Sequence, residues 1–489
     1  MLFSSLVFLF LFLPVTLIIY HLLPKKKLIH RNIFLLFVSL IFYAWGGTWY
    51  LFLMLSVITA NYLGALWISN DTLPSDSDSS NKAKILKKCK LVFVLIVNLG
   101  VLFYFKYFNF FIDIITLITS RDINIFKVLL PIGISFYLFQ AMSYVIDVYN
   151  GKVQKQKNFF KLALYISLFP ALIAGPIIKY ADLEQQINCR EHTSLGFYNG
   201  VKRFIYGLVK KVLIANTLGE AADSVFANHP LAIGMNAAWI GIIFYALQIY
   251  YDFSGYSCMA IGLSKMFGFN IKENFNRPYT SASITEFWKR WHISLTSWFR
   301  EYVYYPLGGN RKGKLKTYIN IIIIFLVSGL WHGANYTFVA WGAFFAFFIV
   351  IERMIFGKEG IKTPNIINWL YTITVVLIAW VFFRSPDLEY ALYYIKVMFG
   401  FYDTGGLPLD FYFTMNSILI FPFAVLFCGF IQNWTIKLFS FKAFDKIKSK
   451  KWVFNLLFFS EVVCLFALYG LVILMLANNT YNPFIYFQF

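Results

Sequence analysis

Long apolar runs recur along the whole chain, and they constrain its fold more than any other feature. They lie at about 3–23, 33–48, 49–68, 91–112, 127–148, 204–219, 236–262, 318–331, 334–351, 366–383, 411–432 and 453–477. Only 13% of the residues are charged, which is about half of the ~25% usual in soluble domains. An apolar segment of about 20 residues is long enough to cross a bilayer as a helix. The sequence therefore predicts an all-α, multi-pass membrane protein.

Basic residues stand in short clusters between the apolar runs, and these clusters predict the orientation of the chain. One is Lys25-Lys-Lys27, another closes the polar linker at 70–90, and a long basic segment covers 264–316. Because Lys and Arg are enriched in cytoplasmic loops, we place these three segments in the cytoplasm and both termini outside. We predict twelve crossings within one membrane domain at 1–489.

One further apolar run, at 159–179, is interrupted by Pro170, Gly175 and Pro176. A full crossing here would put the basic pair Lys202-Arg203 outside, against the positive-inside rule. We therefore predict a re-entrant segment with a broken backbone. Such a backbone is tolerated at membrane depth only where protein or a cavity covers it.

The formal charge of +20 does not indicate nucleic-acid binding. The positive residues are separated by membrane spans, whereas a phosphate-binding surface needs a continuous patch or stripe. The five cysteines are scattered and form no C-x-x-C pair, a spacing that predicts neither a metal site nor a disulfide framework. We expect membrane lipid around the chain, with no metal and no nucleic-acid partner.

Two histidines, each flanked by tryptophan, are the candidates for chemistry. His332 lies in an apolar stretch, near the turn of a hairpin-like pair of runs at 318–331 and 334–351, and this stretch has no Asp, Glu, Lys or Arg between Lys316 and Glu352. If that stretch is in a bilayer, His332 is near its middle, where ionisable residues are costly and usually functional. His292 lies in an aromatic and basic segment, 287–302, whose simplest interpretation is an amphipathic helix in the interface.

A neutral imidazole accepts a proton from a hydroxyl near physiological pH, as general-base catalysis requires. Burial disfavours the charged imidazolium and keeps the base available. A structural role within the bundle is the alternative for each histidine. The sequence has no G-x-S-x-G elbow, no H-E-x-x-H pair and no Walker loop, so covalent serine catalysis and zinc-protease chemistry are not indicated.

Nine ordered segments carry a family resemblance. They are PIGISFY at 131–137, YVIDVY at 144–149, LFPALIAGP at 168–176, YDFSGY at 251–256, ENFNRPY at 273–279, EFWKRWHISL at 286–295, YPLGGNR at 305–311, WHG at 331–333 and PFIYF at 483–487. Together they resemble the membrane-bound O-acyltransferases (MBOAT), of the bacterial alginate or peptidoglycan O-acetyltransferase type. The core motif region extends over about 131–352.

The resemblance implies a helical bundle that encloses a tunnel, in a multi-pass protein of the bacterial cytoplasmic membrane. It implies that His332 is catalytic and that His292 is a second catalytic candidate. Such enzymes take an acyl group from a cytoplasmic thioester, here acetyl-CoA or another acyl thioester, and bind no resident cofactor. The acceptor is a hydroxyl of an extracytoplasmic polysaccharide, an exopolysaccharide or peptidoglycan, reached directly or through a partner extracytoplasmic acetyltransferase.

Four cations are candidates for holding the phosphates of the donor, by charge-assisted hydrogen bonds. They are Lys289, Arg290, Arg300 and Arg311, and for each the alternative is an ordinary positive-inside residue. Asp252 and Tyr256 are candidates for orienting neighbouring groups, although the packing of a span end explains them equally well.

Two other functions remain open at this stage. D-alanyl transfer to teichoic acid belongs to a sister branch of the same superfamily, although the length and PFIYF at 483–487 resemble the alginate branch more closely. A transporter or channel built around the re-entrant segment is a candidate of another class. The sequence shows no internal repeat, which weakens the transporter interpretation.

Overall fold

The computed structural model describes residues 1–24, 27–69, 77–120, 127–357, 361, 365–402, 405–431, 451–478 and 481–485. Throughout these ranges the regular secondary structure is helical. Six helices within them are long and apolar enough to cross a membrane: Thr48–Ser69, Asn81–Thr116, Gly313–His332, Tyr336–Phe356, Ile366–Arg384 and Asn455–Asn478. Shorter apolar helices lie at Phe8–Leu22, Leu28–Ala44 and Met415–Phe430. The predicted all-α, multi-pass fold is confirmed, whereas the count of twelve crossings stays a prediction.

The chain divides into two compact units. The first contains Met1–Val201, Ala260–Lys272 and Trp298–Val303, and the second contains Lys202–Met259, Glu273–Ser297 and Tyr304–Phe489. The helices of the first unit are Phe8–Phe12, Leu13–Leu22, Leu28–Ala44, Thr48–Ser69, Ser77–Thr119, Ile134–Tyr149, Phe159–Ser167, Phe169–Leu172 and Tyr180–Asn188. A single membrane domain over 1–489 stays a prediction.

Polar side chains pair inside the first unit rather than facing an apolar environment. Asn61 and Asn98 are buried and exchange side-chain hydrogen bonds of 2.8 and 3.0 Å. Each also donates to a carbonyl four residues earlier in its own helix. This pair joins Thr48–Ser69 to Ser77–Thr119, because a buried amide is stable only when its hydrogen bonds are made.

The segment predicted to be re-entrant is broken and buried in the structure. Helix Phe159–Ser167 ends, the single turn Phe169–Leu172 follows, and residues 173–179 are non-helical up to Tyr180–Asn188. Residues from Leu162 to Ile178 are buried throughout. The amide of Phe169, beside the break, donates 3.1 Å to the Ser39 hydroxyl. The break thus lies where Pro170 and Gly175-Pro176 predict it, with protein covering it.

The second unit carries both candidate histidines. Its helices are Lys210–Ala215, Asn216–Phe226, Pro230–Ala232, Pro278–Thr280, Ile284–Arg290, Gly313–His332, Tyr336–Phe356, Ile366–Arg384, Leu388–Met398, Leu409–Tyr412, Met415–Val425, Leu426–Phe430 and Lys451–Asn478. Four more helices extend from one unit into the other: Ser194–Val209, Met235–Met266, Ile293–Phe299 and Arg300–Tyr304.

Helices Gly313–His332 and Tyr336–Phe356 form the histidine hairpin. Their backbones touch: a Cβ atom at Gly329 would clash with the Phe338 carbonyl, and one at Gly342 would clash with the Phe325 carbonyl. Small residues allow this close approach between membrane helices. The chain reverses after His332, and the Asn335 side chain caps the second helix by accepting from the Thr337 amide at 3.1 Å.

Helix Ile284–Arg290, which we call the tryptophan helix, is attached to the histidine hairpin by a buried carboxylate. Glu352, 1% exposed, accepts from the Ile284 amide at 2.6 Å and from the Thr285 amide and hydroxyl at 2.9 and 2.7 Å. A negative charge at a helix N-terminus satisfies its free amides and is favoured by the helix dipole. Ser283 completes the cap by accepting from the Glu286 amide at 3.0 Å.

A buried ion pair holds residues 483–485, and we call it the 483–485 clamp. Lys211 Nζ lies 2.7 Å from Asp252 Oδ1, and both side chains are 3% exposed. Lys211 also donates to the Pro483 carbonyl, while Asp252 Oδ2 accepts from the Ile485 amide at 2.9 Å. Of the PFIYF motif, Tyr486 and Phe487 lie outside the described residues.

We predict that Lys211→Met lowers the free energy of unfolding by about 3–5 kcal/mol, because it leaves the Asp252 carboxylate buried without its cation. The double variant Lys211→Met/Asp252→Asn should be more stable than Lys211→Met, since it removes the uncompensated charge. The measurement is thermal unfolding of the purified protein in detergent. Equal stabilities of the single and double variants would contradict the clamp as an ion pair.

Candidate active site

His332 is the last residue of its helix, beside the turn of the histidine hairpin. The apolar runs at 318–331 and 334–351 predicted a hairpin-like pair with His332 near its turn, and the chain reverses at Gly333. Its side chain is buried, with 5% exposure. The centroid of its ring lies 5.0 Å from those of Trp341 and Phe383, and both contacts are edge-to-face. The depth of His332 in a bilayer stays a prediction.

The surroundings of His332 are aromatic and apolar. Trp341 packs on Trp288 and Trp380 at ring distances of 5.6 and 6.4 Å. The simplest interpretation of segment 287–302 was an amphipathic helix in the interface, but its residues Phe287, Trp288 and Trp291 are buried in the core of the second unit. Such a cluster excludes water, and electrostatic interactions within it are stronger than in solvent.

Trp331 contacts both candidate histidines. Its ring lies 4.8 Å from that of His332 and 6.4 Å from that of His292. His292 also packs edge-to-face on Phe253 at 4.6 Å. The structure therefore brings together two histidines that are 40 residues apart in sequence, with an indole in contact with both.

Asn274 fixes the position of His292. The Asn274 Oδ1 atom lies 3.1 Å from His292 Nδ1, and it accepts from the Ser294 amide and hydroxyl at 3.1 and 2.9 Å. The Asn274 Nδ2 group donates to the Ser257 hydroxyl at 3.0 Å. The backbone carbonyl of Asn274 accepts from the Ile293 amide at 2.9 Å. Asn274 thereby holds both the ring of His292 and the backbone that follows it.

These bonds also select the tautomer of His292. A backbone amide only donates, so the Asn274 atom that faces the Ser294 amide is the oxygen, which only accepts. His292 Nδ1 must therefore carry the hydrogen, and in a neutral ring the lone pair is then on Nε2. Burial lowers the pKa of His292 to about 3, so the ring is neutral at physiological pH.

The backbone of His292 is in a sparsely populated conformation. Its φ angle is +41°, in the left-handed region that residues with a Cβ atom seldom adopt. Such strain persists only where the surroundings hold it, and it clusters at functional sites. Here the tryptophan helix before His292 and the Asn274 bonds after it hold the turn.

The four candidate cations are distributed over both units. Lys289 and Arg311 are exposed in the second unit, and Arg300 is exposed in the first. Arg290 is half-buried and pairs with Glu286 at 2.6 Å. A role of these side chains in donor binding stays a prediction.

The two orienting candidates contact the 483–485 segment. Asp252 belongs to the clamp, and the Tyr256 ring lies 4.6 Å from that of Phe484. These two residues of the YDFSGY motif thus contact a distant part of the chain, and their role in orienting a group at the site stays a prediction. Within the described ranges, no three His, Cys, Asp or Glu side chains form a group that could hold a metal ion.

Comparison with known proteins shows the family of this chain. The model of the membrane-bound O-acyltransferase family matches residues 153–385. A probable alginate O-acetylase of Azotobacter vinelandii is 44% identical over 407 residues, which are 82% of this chain and 79% of that protein. The peptidoglycan O-acetyltransferase of Helicobacter pylori is 35% identical over 432 residues, 82% of this chain and 80% of that protein. The chain belongs to the membrane-bound O-acyltransferase family.

A more distant similarity within the comparisons is to the teichoic acid D-alanyltransferase of Bacillus subtilis. It is 27% identical over 292 residues, which cover 57% of this chain and 69% of that protein. The MBOAT match includes both histidines, the tryptophan helix and Glu352. The residues that sequence reasoning did not single out, Asn274 and Glu352, lie 18 and 60 residues from His292, and only folding shows their contacts.

We predict that Asn274→Leu lowers turnover by about 10²-fold, because the histidine loses its anchor and small displacements are costly in catalysis. Asn274→Asp should retain activity, since a carboxylate still accepts from Nδ1 and from the Ser294 amide. It should also move the acid limb of the pH–rate profile to higher pH, because a nearby negative charge favours imidazolium.

The matched control for Asn274 is Asn276→Leu, at an exposed position two residues away, which should leave turnover unchanged. Initial rates of acetyl transfer between pH 3 and 9, a range that includes the pKa of about 3 of His292, check both statements. Equal activity of Asn274→Leu and the parent protein, or an unshifted profile in Asn274→Asp, would show that Asn274 does not set the state of His292.

Proposed function

We propose that this protein transfers an acetyl group from a cytoplasmic acyl thioester to a hydroxyl of an extracytoplasmic polysaccharide. The acceptor is an exopolysaccharide or peptidoglycan, reached directly or through a partner acetyltransferase. The observation that carries the proposal is the 44% identity to an alginate O-acetylase over four-fifths of the chain, together with two buried histidines in contact with one tryptophan.

In the proposed reaction His332 is the general base. One of its ring nitrogens accepts the proton of the acceptor hydroxyl while the oxygen attacks the thioester carbonyl carbon. The C–S bond then breaks, the ester forms, and the thiolate takes up the proton from His332 as it leaves. The number of protons is conserved, and the step needs no metal or bound cofactor.

The negative charge that develops on the carbonyl oxygen needs a donor. The indole N–H of Trp341 is buried and has no acceptor among the described residues, and its ring lies edge-to-face against His332. A donor already in place in a water-poor site stabilises an oxyanion with little reorganisation. We assign this role to Trp341, which the sequence alone did not single out.

His292 has a different proposed role. A pKa of about 3 is far below the operating pH at which a general base works best, so the neutral ring acts through hydrogen bonding. Its Nε2 lone pair accepts a hydrogen bond from a second donor group of the acceptor, so that the proton of the attacking hydroxyl stays directed at His332. The bonds from Asn274 provide the orientation of this lone pair.

The proposal implies a soluble donor and one place in the cell. Acetyl-CoA or another acyl thioester reaches the cytoplasmic side, where Lys289, Arg290 and Arg311 of the second unit are the candidates for binding its phosphates. Arg300, in the first unit, is a separate candidate for the same role. The protein resides in the bacterial cytoplasmic membrane, and membrane lipid surrounds it.

D-alanyl transfer to teichoic acid is the weaker candidate function, because the similarity to the teichoic acid D-alanyltransferase is lower in identity and covers less of the chain. No specific observation supports a transporter.

We predict that His332→Ala lowers acetylation of the acceptor by at least about 10²-fold, the usual contribution of a general base. The measurement is base-labile acetate on the extracellular polysaccharide of cells that carry the variant, with an immunoblot of the membranes. His30→Ala, at an exposed histidine of the first unit, is the control and should be fully active. Normal acetylation by His332→Ala would exclude it as the base.

We predict that His292→Asn lowers turnover by about 10²-fold at a normal protein level, because the shorter amide still donates to Asn274 but has no Nε2 lone pair. His292→Ala should lower turnover similarly and reduce the amount of protein, since it also removes the contact with Asn274. Rates per mole of purified protein separate the two effects. Full turnover in His292→Asn, with only abundance reduced in His292→Ala, would leave His292 a structural residue.

A further inference from the structure

The first unit contains a cavity of about 590 Å³ that the proposed reaction does not use. Its lining combines apolar and polar side chains, among them Leu17, Ile18, His21, His192, Lys265 and Met266. Ile18 is 61% exposed on the apolar helix Leu13–Leu22. An opening of this kind, apolar on one wall and polar on another, fits an amphiphile better than a wholly polar solute.

Two buried guanidinium groups lie behind one wall of this cavity. Arg31 is fully buried and Arg190 is 8% exposed, and they lie 4.9 and 6.0 Å from the centre of the Tyr20 ring. Arg31 donates to the Leu23 carbonyl at 2.8 Å. Arg190 donates to Asn32 Oδ1 at 2.7 Å and to the Tyr20 hydroxyl at 2.9 Å. All of these acceptors are neutral.

Neither arginine has a carboxylate partner in the part of the chain that the structure describes, and Arg31 Nη1 has no hydrogen-bond partner there. Burying a charge is costly unless an opposite charge compensates it. Two like charges around one tyrosine increase the cost, and burial together with Arg31 lowers the pKa of Arg190. The arrangement therefore favours the binding of an anion close by.

Tyr20 connects the guanidinium groups to the cavity. Its hydroxyl lies 2.8 Å from His192 Nε2, and His192 lines the cavity. The pKa of His192 is lowered to about 4, first by burial and then by Arg31 and Arg190. The field of the two arginines thus reaches the cavity wall. Glu191 also lines the cavity, but it is exposed, and solvent screens its charge more than it screens the buried arginines.

We propose that this cavity binds the phosphate of an anionic phospholipid, with the acyl chains along Leu17 and Ile18 and the phosphate beside His192 and Lys265. The helix that carries Leu17 and Ile18 ends just before the basic cluster that predicts the cytoplasmic side. Anionic lipids are concentrated in that leaflet, and basic pockets between membrane helices bind their headgroups. This site is separate from the acetyl-transfer proposal and does not depend on it.

The test uses the full-length protein, purified in detergent and depleted of lipid. Thermal unfolding is followed while phosphatidylglycerol, phosphatidylcholine or inorganic phosphate is added. Phosphatidylglycerol should raise the melting temperature in a saturable way, whereas equal concentrations of the other two should not. Equal stabilisation by phosphatidylcholine would overturn charge recognition, and stabilisation by phosphate alone would overturn the lipid as the ligand.

A substitution in the cavity lining tests whether the lipid binds in this cavity. Lys265→Gln should weaken the apparent affinity for phosphatidylglycerol about fivefold, the usual contribution of one basic residue at an anionic lipid surface. Lys272→Gln is the matched control, because Lys272 is an exposed lysine paired with Asp182 at 2.6 Å and does not line the cavity. Equal affinities of the two variants would place the lipid elsewhere and contradict the proposal.

Discussion

The buried carboxylate of Glu352 is the interaction on which the candidate site depends. It belongs to the second helix of the histidine hairpin, and it receives the free amides at the start of the tryptophan helix. One helix leads to His292 and the other follows His332, so this single contact ties the two histidine-bearing segments together. An apolar contact would be less directional, because only a hydrogen-bonded carboxylate fixes both the position and the orientation of a helix N-terminus.

Much of the architecture could be predicted from the sequence, because the length and hydropathy of an apolar run are enough to identify a membrane helix. The helices at Thr48–Ser69, Gly313–His332, Tyr336–Phe356 and Ile366–Arg384 lie where apolar runs predicted them. The break after Phe159–Ser167 followed from prolines and a glycine. The positions of buried segments with mixed composition were harder to predict. The tryptophan helix resembles an interfacial helix in sequence, yet tertiary packing buries its aromatic face.

The candidate site could be predicted only in part. The two candidate histidines could be identified from the sequence, because each is flanked by tryptophan. Asn274 lay within the ENFNRPY motif and Glu352 ended an apolar stretch, but neither was a site candidate, because a single Asn or Glu has no sequence signal until its partner is known. Asp252 was visible within a motif, but its partners are Lys211 and Ile485, and no local pattern predicts a contact over 233 residues. The motifs marked residues that make long-range contacts without showing which contacts they make.

The 483–485 clamp has a consequence for how the protein is made. Lys211 and Asp252 are synthesised long before Pro483, which is 272 residues beyond Lys211. Until those residues emerge, the buried pair lacks two of its backbone partners and the second unit is incomplete. Contacts of such sequence separation form late and slowly. The growing chain must therefore remain in the membrane with an unfinished core, and its last described residues complete the unit that carries the histidines.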